Sequence, residues 1–147
     1  MNGENLIYIY GVFNDKNQKE FLAKLAKSLK NTSNEVWTEG EPSSDTNRLS
    51  RVVNLWACVV IIVCSDQYFA LVEKEEQSEI NEVVLSRKVL AENYDMNKLI
   101  ICLRDNPSKR IPSFLSEVPQ FDFTDNANDD AKILDLKNSI DKKLNQI

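Results

Sequence analysis

Residues 57–64 read ACVVIIVC, the longest uninterrupted apolar run in the chain. A helix needs about 20 apolar residues to cross a bilayer, so this run has the length of a strand instead. No polar residue alternates through it, so both faces of that strand must be covered. Such strands sit in the middle of parallel sheets with helices packed on each side. The rest of the chain has to supply those neighbouring strands and covering helices.

Candidates occur in the right order. LIYIY at 6–10 is β-branched and aromatic and predicts a buried strand, with GVFND as the turn after it. NQKEFLAKLAKSLKN places Phe21, Leu22, Leu25, Ala26 and Leu29 on one helical face. NEVWTEG reads as a second strand and EPSSDTN as a polar loop. RLSRVVNLW carries Leu49, Val52, Val53 and Trp56 at helical spacing, so a helix should stop and the central strand start near Ala57. SDQYFALVEKEEQ reads as a short irregular or helical piece, followed by a helix from about Ser78 to Glu92. KLIICL at 98–103 and QFDF at 120–123 are further strands, and a last helix turns Ile133, Leu136, Ile140 and Leu144 inward. The pattern predicts one domain over residues 1–147: a flavodoxin-like, doubly wound α/β sheet of about five parallel strands with helices on both faces. Ligands of such sheets bind at the carboxyl ends of the strands.

Composition narrows the chemistry. The chain has no histidine, which removes the commonest general base, Ser-His and Cys-His nucleophile pairs and most zinc sites. Glycines number three, and no phosphate-binding glycine loop or dinucleotide fingerprint is present. A net charge of −5 argues against nucleic acid and anionic membranes as partners. The N-terminus lacks the basic region of a signal peptide, and the odd cysteine count (Cys58, Cys64, Cys102) suits buried reduced thiols. A cytoplasmic protein without a membrane segment or metal site is expected.

Several segments are similar to those of Toll/interleukin-receptor (TIR) domains and the related SEFIR domains. LIYIYGVFNDKNQKEFLAKLAKSLK resembles their first strand, acidic loop and helix, and VWTEGE their second strand and the start of the BB loop. RVVNLWACVVIIVCSDQYF resembles the third strand, and NKLIICLRDNPSKRIPSFLSEVPQFDFTD the following strand, the I-P-x-F-L segment and the short terminal strand. The VCS strand and IPSFL lean towards SEFIR. Trp56-Ala57 stands where the family usually has an acidic residue before the third strand, and the BB loop lacks the usual glycine-rich turn.

The resemblance implies two functions. One is NAD+ hydrolysis at the nicotinamide glycosidic bond, activated by self-association, as in an abortive-infection (anti-phage) effector if the protein is bacterial. NAD+ would be a substrate, with no resident cofactor. The other is a non-catalytic adaptor that assembles with other TIR or SEFIR domains. Cleavage passes through an oxocarbenium-like ribose that a carboxylate stabilises, and nicotinamide leaves without needing an acid. In KEEQSEINEVVLSRKVL, at 74–90, Glu79 before Ile80 matches the family's catalytic glutamate, with Glu82 as runner-up. First-turn acids also simply favour a helix N-terminus, which is the expectation for Glu73, Glu75 and Glu76. Tyr10, Gly11, Val12 and Phe13 would wall the substrate or pack the turn. Trp37 and Glu39 would cover it, or Trp37 would pack on the core. Ser65 and Tyr68 lie at the mouth, where a serine without a base is no nucleophile. Arg48 and Arg51 would meet phosphates or stay solvated.

Overall fold

A computed structural model describes residues 5–13, 15–39, 46–77, 84–124 and 129–145. Its strands are β1 (Asn5–Tyr10), β2 (Asn34–Glu39), β3 (Val59–Cys64), β4 (Leu99–Leu103) and β5 (Gln120–Asp122). They form one sheet in the order β2-β1-β3-β4-β5, with every neighbouring pair parallel. The helices are α1 (Lys16–Leu29), α2 (Thr46–Arg51), α3 (Asp66–Gln77) and α4 (Asp129–Leu144). This is the expected flavodoxin-like arrangement, and the ACVVIIVC run supplies its central strand. Among the described residues no helix is long and apolar enough to cross a membrane.

Strand alternation divides the core in two. Ile7, Ile9, Val59, Ile61, Val63, Ile100 and Cys102 meet Phe21, Leu25 and Leu29 of α1 and Ile133, Leu136 and Ile140 of α4. Tyr8, Tyr10, Val60, Ile62, Cys64 and Ile101 meet Leu49, Val52, Val53, Tyr68 and Val72 on the other side. All six residues of β3 are buried, and each such aliphatic side chain contributes about 1.5–3 kcal/mol of transfer free energy before chain entropy is subtracted. Asp15 caps α1 by accepting the Gln18 N–H at 2.8 Å.

Two expectations are corrected. RLSRVVNLW does not continue as an α-helix: residues Val52–Trp56 form a π-helical turn, closed by the Ala57 N–H donating to the Val52 carbonyl at 2.9 Å. The wider turn keeps Val52 and Val53 in the core and swings Trp56 out, leaving it 46 % exposed. The helix expected over 78–92 is absent from its described part, because residues 84–92 are bends and turns. There the Tyr68 hydroxyl donates to the Leu85 carbonyl. The Asn54 side chain donates to the Val89 carbonyl at 2.9 Å and accepts the Ala91 N–H at 2.8 Å. Backbone groups that would close a helical ladder are held by side chains from elsewhere, while Val84, Leu85, Val89 and Leu90 still reach the core. The piece after β3, in turn, is a full α-helix of 12 residues.

Candidate functional site

The strand order changes direction between β1 and β3, so the carboxyl ends of these strands flank the position where α/β sheets bind ligands. Parallel register sets Tyr10 beside Glu39 of β2 and Ile62 of β3. Tyr10 and Tyr68 are fully buried and meet edge-on, with ring centroids 6.1 Å apart. Gly11 approaches its neighbours so closely that a Cβ there would stand 2.9 Å from the Phe13 ring and 3.2 Å from Val63. Val12 and Phe13 are 4 % and 5 % exposed. Ser65 is buried, and its hydroxyl accepts the Tyr68 N–H at 3.1 Å, a cap on α3. The six residues expected at the mouth on β1, β3 and α3 are thus brought together, and they pack on one another.

The second wall is more open. Glu39, at the end of β2, and Arg48, in α2, form an ion pair at 3.0 Å, with side chains 23 % and 41 % exposed. Arg48 is therefore neither simply solvated nor free of a carboxylate, whereas Arg51 is exposed. Beneath the pair lies the Tyr8 hydroxyl, fully buried, whose ionisation is pushed up by burial and then by the Glu39 carboxylate. Trp37 is half-buried; its indole N–H donates to Glu35 at 2.9 Å and its ring meets Trp56 edge-on at 6.0 Å.

Beyond β3 the edge is closed by residues 104–110, which the sequence did not single out. Asn106 is fully buried: its amide donates to the carbonyls of Arg110 at 2.7 Å and Cys64 at 3.3 Å, and its oxygen accepts the Arg110 N–H at 3.0 Å. The Asp105 carbonyl accepts the Asp66 N–H, and its carboxylate accepts from Gln18 at 2.8 Å. Asp105 and Lys109 both take φ of 53°, the left-handed region that lets so short a loop turn back on itself. Arg110 pairs with Asp66 at 3.3 Å and lies over the Phe69 ring. Below, Arg104 donates to both carboxylate oxygens of Asp129 at 2.8 Å and lies over Phe21. The only advance signal was the turn chemistry of DNP at 105–107. Burial pushes the Cys64 thiol up to about 12, against the Asn106 amide, so it stays protonated and inert.

Glu79 and Glu82 lie outside the described residues, as does Ser78. The helix expected to carry them does not continue past residue 83, because 84–92 are bends and turns and Ser86 is buried. The helix that follows β3 opens on Asp66, which is paired to Arg110. Glu73 is half-exposed on α3. Among the described residues no group of three or more His, Cys, Asp or Glu side chains is placed to hold a metal ion. Cys64 and Cys102 are buried free thiols as expected, while Cys58, just before β3, is half-exposed.

A separate cleft of about 690 Å³ opens at the opposite, amino-terminal edge, between the π-helical turn and the segment that enters β4. Leu55, Trp56 and Cys58 line one side, and Asp95, Lys98 and Lys143 the other.

No family model and no curated protein matches the sequence. Among solved structures, the crystal structure of a prokaryotic SEFIR domain matches at a TM-score of 0.66, covering 89 % of this chain and 96 % of its own, with 16 % identity. The fold is that of a SEFIR domain. At that identity the likeness lies in the path of the backbone. In this chain VVIIVCS is β3 and its exit, and IPSFL includes the 3-10 turn at Ser113–Leu115 that leads to β5.

Proposed function

We propose that the chain is an association module of the SEFIR type, which assembles with domains of its own kind in the cytoplasm. The observation that carries this reading is the packing of the carboxyl edge. Tyr10, Val12, Phe13, Ser65 and Tyr68 are at most 5 % exposed and Gly11 is buried, which supports a closed, packed edge. Sedimentation velocity over a wide range of protein concentration tests it. A weight-average coefficient that rises with concentration is expected, and a monomer throughout would overturn the reading.

NAD+ hydrolysis is the second reading, favoured by the polar Glu39–Arg48 pair, which stays partly open beside the switch point. In it Glu79, or Glu82 as runner-up, stabilises the oxocarbenium-like ribose as nicotinamide departs, and water completes the hydrolysis at the anomeric carbon. Nicotinamide release from NAD+ at high protein concentration is the measurement. Glu79→Gln should abolish release with the melting temperature nearly unchanged. Equal turnover by that variant and wild type would sink the assignment, and a silent Glu82→Gln alone would move it to the runner-up.

A further inference from the structure

The large hydrophobic residues that stand most exposed among the described residues fall in two places. Leu55 (72 %) and Trp56 (46 %) line the amino-edge cleft, Met96 (36 %) lies in the chain between its lining residues Asp95 and Asn97, and Leu134 (57 %) stands alone on the outer face of α4. Exposed large apolar groups that gather beside a cleft mark an interaction surface more often than scattered ones do. Both places carry charged side chains that form no ion pair among the described residues. Across the cleft from Leu55 and Trp56 stand Lys98 and Lys143, and neither ammonium has a carboxylate within ion-pair distance among the described residues. Lys143 donates to the Asn97 carbonyl at 2.7 Å, which fixes its position without neutralising it. Asp95, also at the cleft, turns its carboxylate to the Asn97 N–H at 3.0 Å.

Leu134 sits among carboxylates, with Lys137 one turn after it on the same face. Asp130 lies one helical turn before it and Asp141 two turns after, with Asp135 alongside. Asp130 is taken by Lys24, whereas Asp135 is exposed, and neither it nor Asp141 forms an ion pair among the described residues. The same helix carries Lys132, one turn before Asp135, together with Lys137 and Lys142.

We propose that Leu134 of one copy seats in the amino-edge cleft of the next, against Leu55 and Trp56, with Asp135 and Asp141 facing Lys98 and Lys143. This rests on the association reading and names its surfaces. The two patches differ and lie on one chain, so each contact leaves an unused cleft at one end and an unused α4 face at the other. Association of this heterologous kind continues unless the rotation closes a ring. Attraction between exposed charges is screened by salt, so added salt should weaken it.

Two variants test it by sedimentation velocity: Leu55→Ser/Trp56→Ser, which spoils the cleft, and Leu134→Ser, which spoils the α4 face. Each should stay monomeric alone where wild type forms larger species. An equimolar mixture should form dimers and nothing larger, because it contains one intact cleft and one intact α4 face. In wild type, modification of the Cys58 thiol should slow severalfold as concentration rises, and in Leu134→Ser it should not. If wild type associates and either variant alone does so equally well, or if the mixture stays monomeric, the head-to-tail contact is wrong while the association reading stands. A wild type that is monomeric at every concentration removes both.

Discussion

At the carboxyl edge of the sheet the fully buried Asn106 binds three backbone groups, and Tyr10 and Tyr68 close over β1 and β3. At the amino edge Leu55 and Trp56 stand open beside lysines that have no carboxylate partner among the described residues. Both edges are ends of the same strands. They differ in what a substitution removes. At the carboxyl edge a deleted side chain leaves buried polar groups or a hole, so stability should fall. At the amino edge it removes apolar surface already in water, so stability should hardly change and only contacts with other molecules should suffer.

The sharpest way to break this contrast begins below the carboxyl edge. Arg104→Ala leaves Asp129 buried without its cation and should cost about 3–5 kcal/mol in denaturant unfolding, whereas Arg104→Met/Asp129→Leu should recover most of that. A loss under about 1 kcal/mol for the single variant would mean that this pair does not fasten α4 to the sheet. Asn106→Ala comes next, at about 2–4 kcal/mol, since the Arg110 and Cys64 groups each lose a partner. Leu55→Ser/Trp56→Ser should stay within about 1 kcal/mol of wild type. If these two variants unfolded at the same denaturant concentration, the two edges would not differ in kind.

Tyr68→Phe should cost about 1–2 kcal/mol by leaving the Leu85 carbonyl buried without its hydroxyl donor. Amide exchange should quicken locally over 84–91, where side chains replace a helical ladder; unchanged exchange there would show that the Asn54 contacts suffice. The smallest effect belongs to Asp122. The hydroxyl and N–H of Thr124, followed by Lys109, hold its carboxyl down at about 2. A folded value below the unfolded one near 3.9 means that the ionised form favours folding above about pH 4, and that this contribution fades as pH falls through about 2. Asp122→Asn should thus melt slightly lower than wild type at neutral pH, with the gap closing in acid. A gap that persists at pH 2 would assign the effect to packing.

The strands and the two long helices, α1 and α4, were legible because their signal is local. A buried strand shows its apolar run, and an amphipathic helix shows its stripe at Phe21, Leu25 and Leu29 or at Ile133, Leu136 and Ile140. The candidate site was legible only as a neighbourhood. Placing Tyr10 to Phe13 and Ser65 to Tyr68 at one edge followed from the topology, but the loop at 104–110 that binds the end of β3 through Cys64 and the start of α3 through Asp66 did not. The DNP at 105–107 announces a turn there, not that Asn106 will be its buried anchor.

Order, type and orientation of the strands were determined by the sequence by itself, since a run such as VVIIVC has no stable alternative to burial on both faces. Only the tertiary structure decided where Trp56 points and how 84–92 is folded. Apolar spacing suits a helix in both places. Yet the backbone of 84–92 is held by Asn54 and Tyr68, residues 17 to 37 positions away, and the π-helical turn sends Trp56 towards Trp37 instead of the core. Periodicity records which side chains are apolar. It does not record which remote side chain will take a carbonyl that a helix would otherwise use.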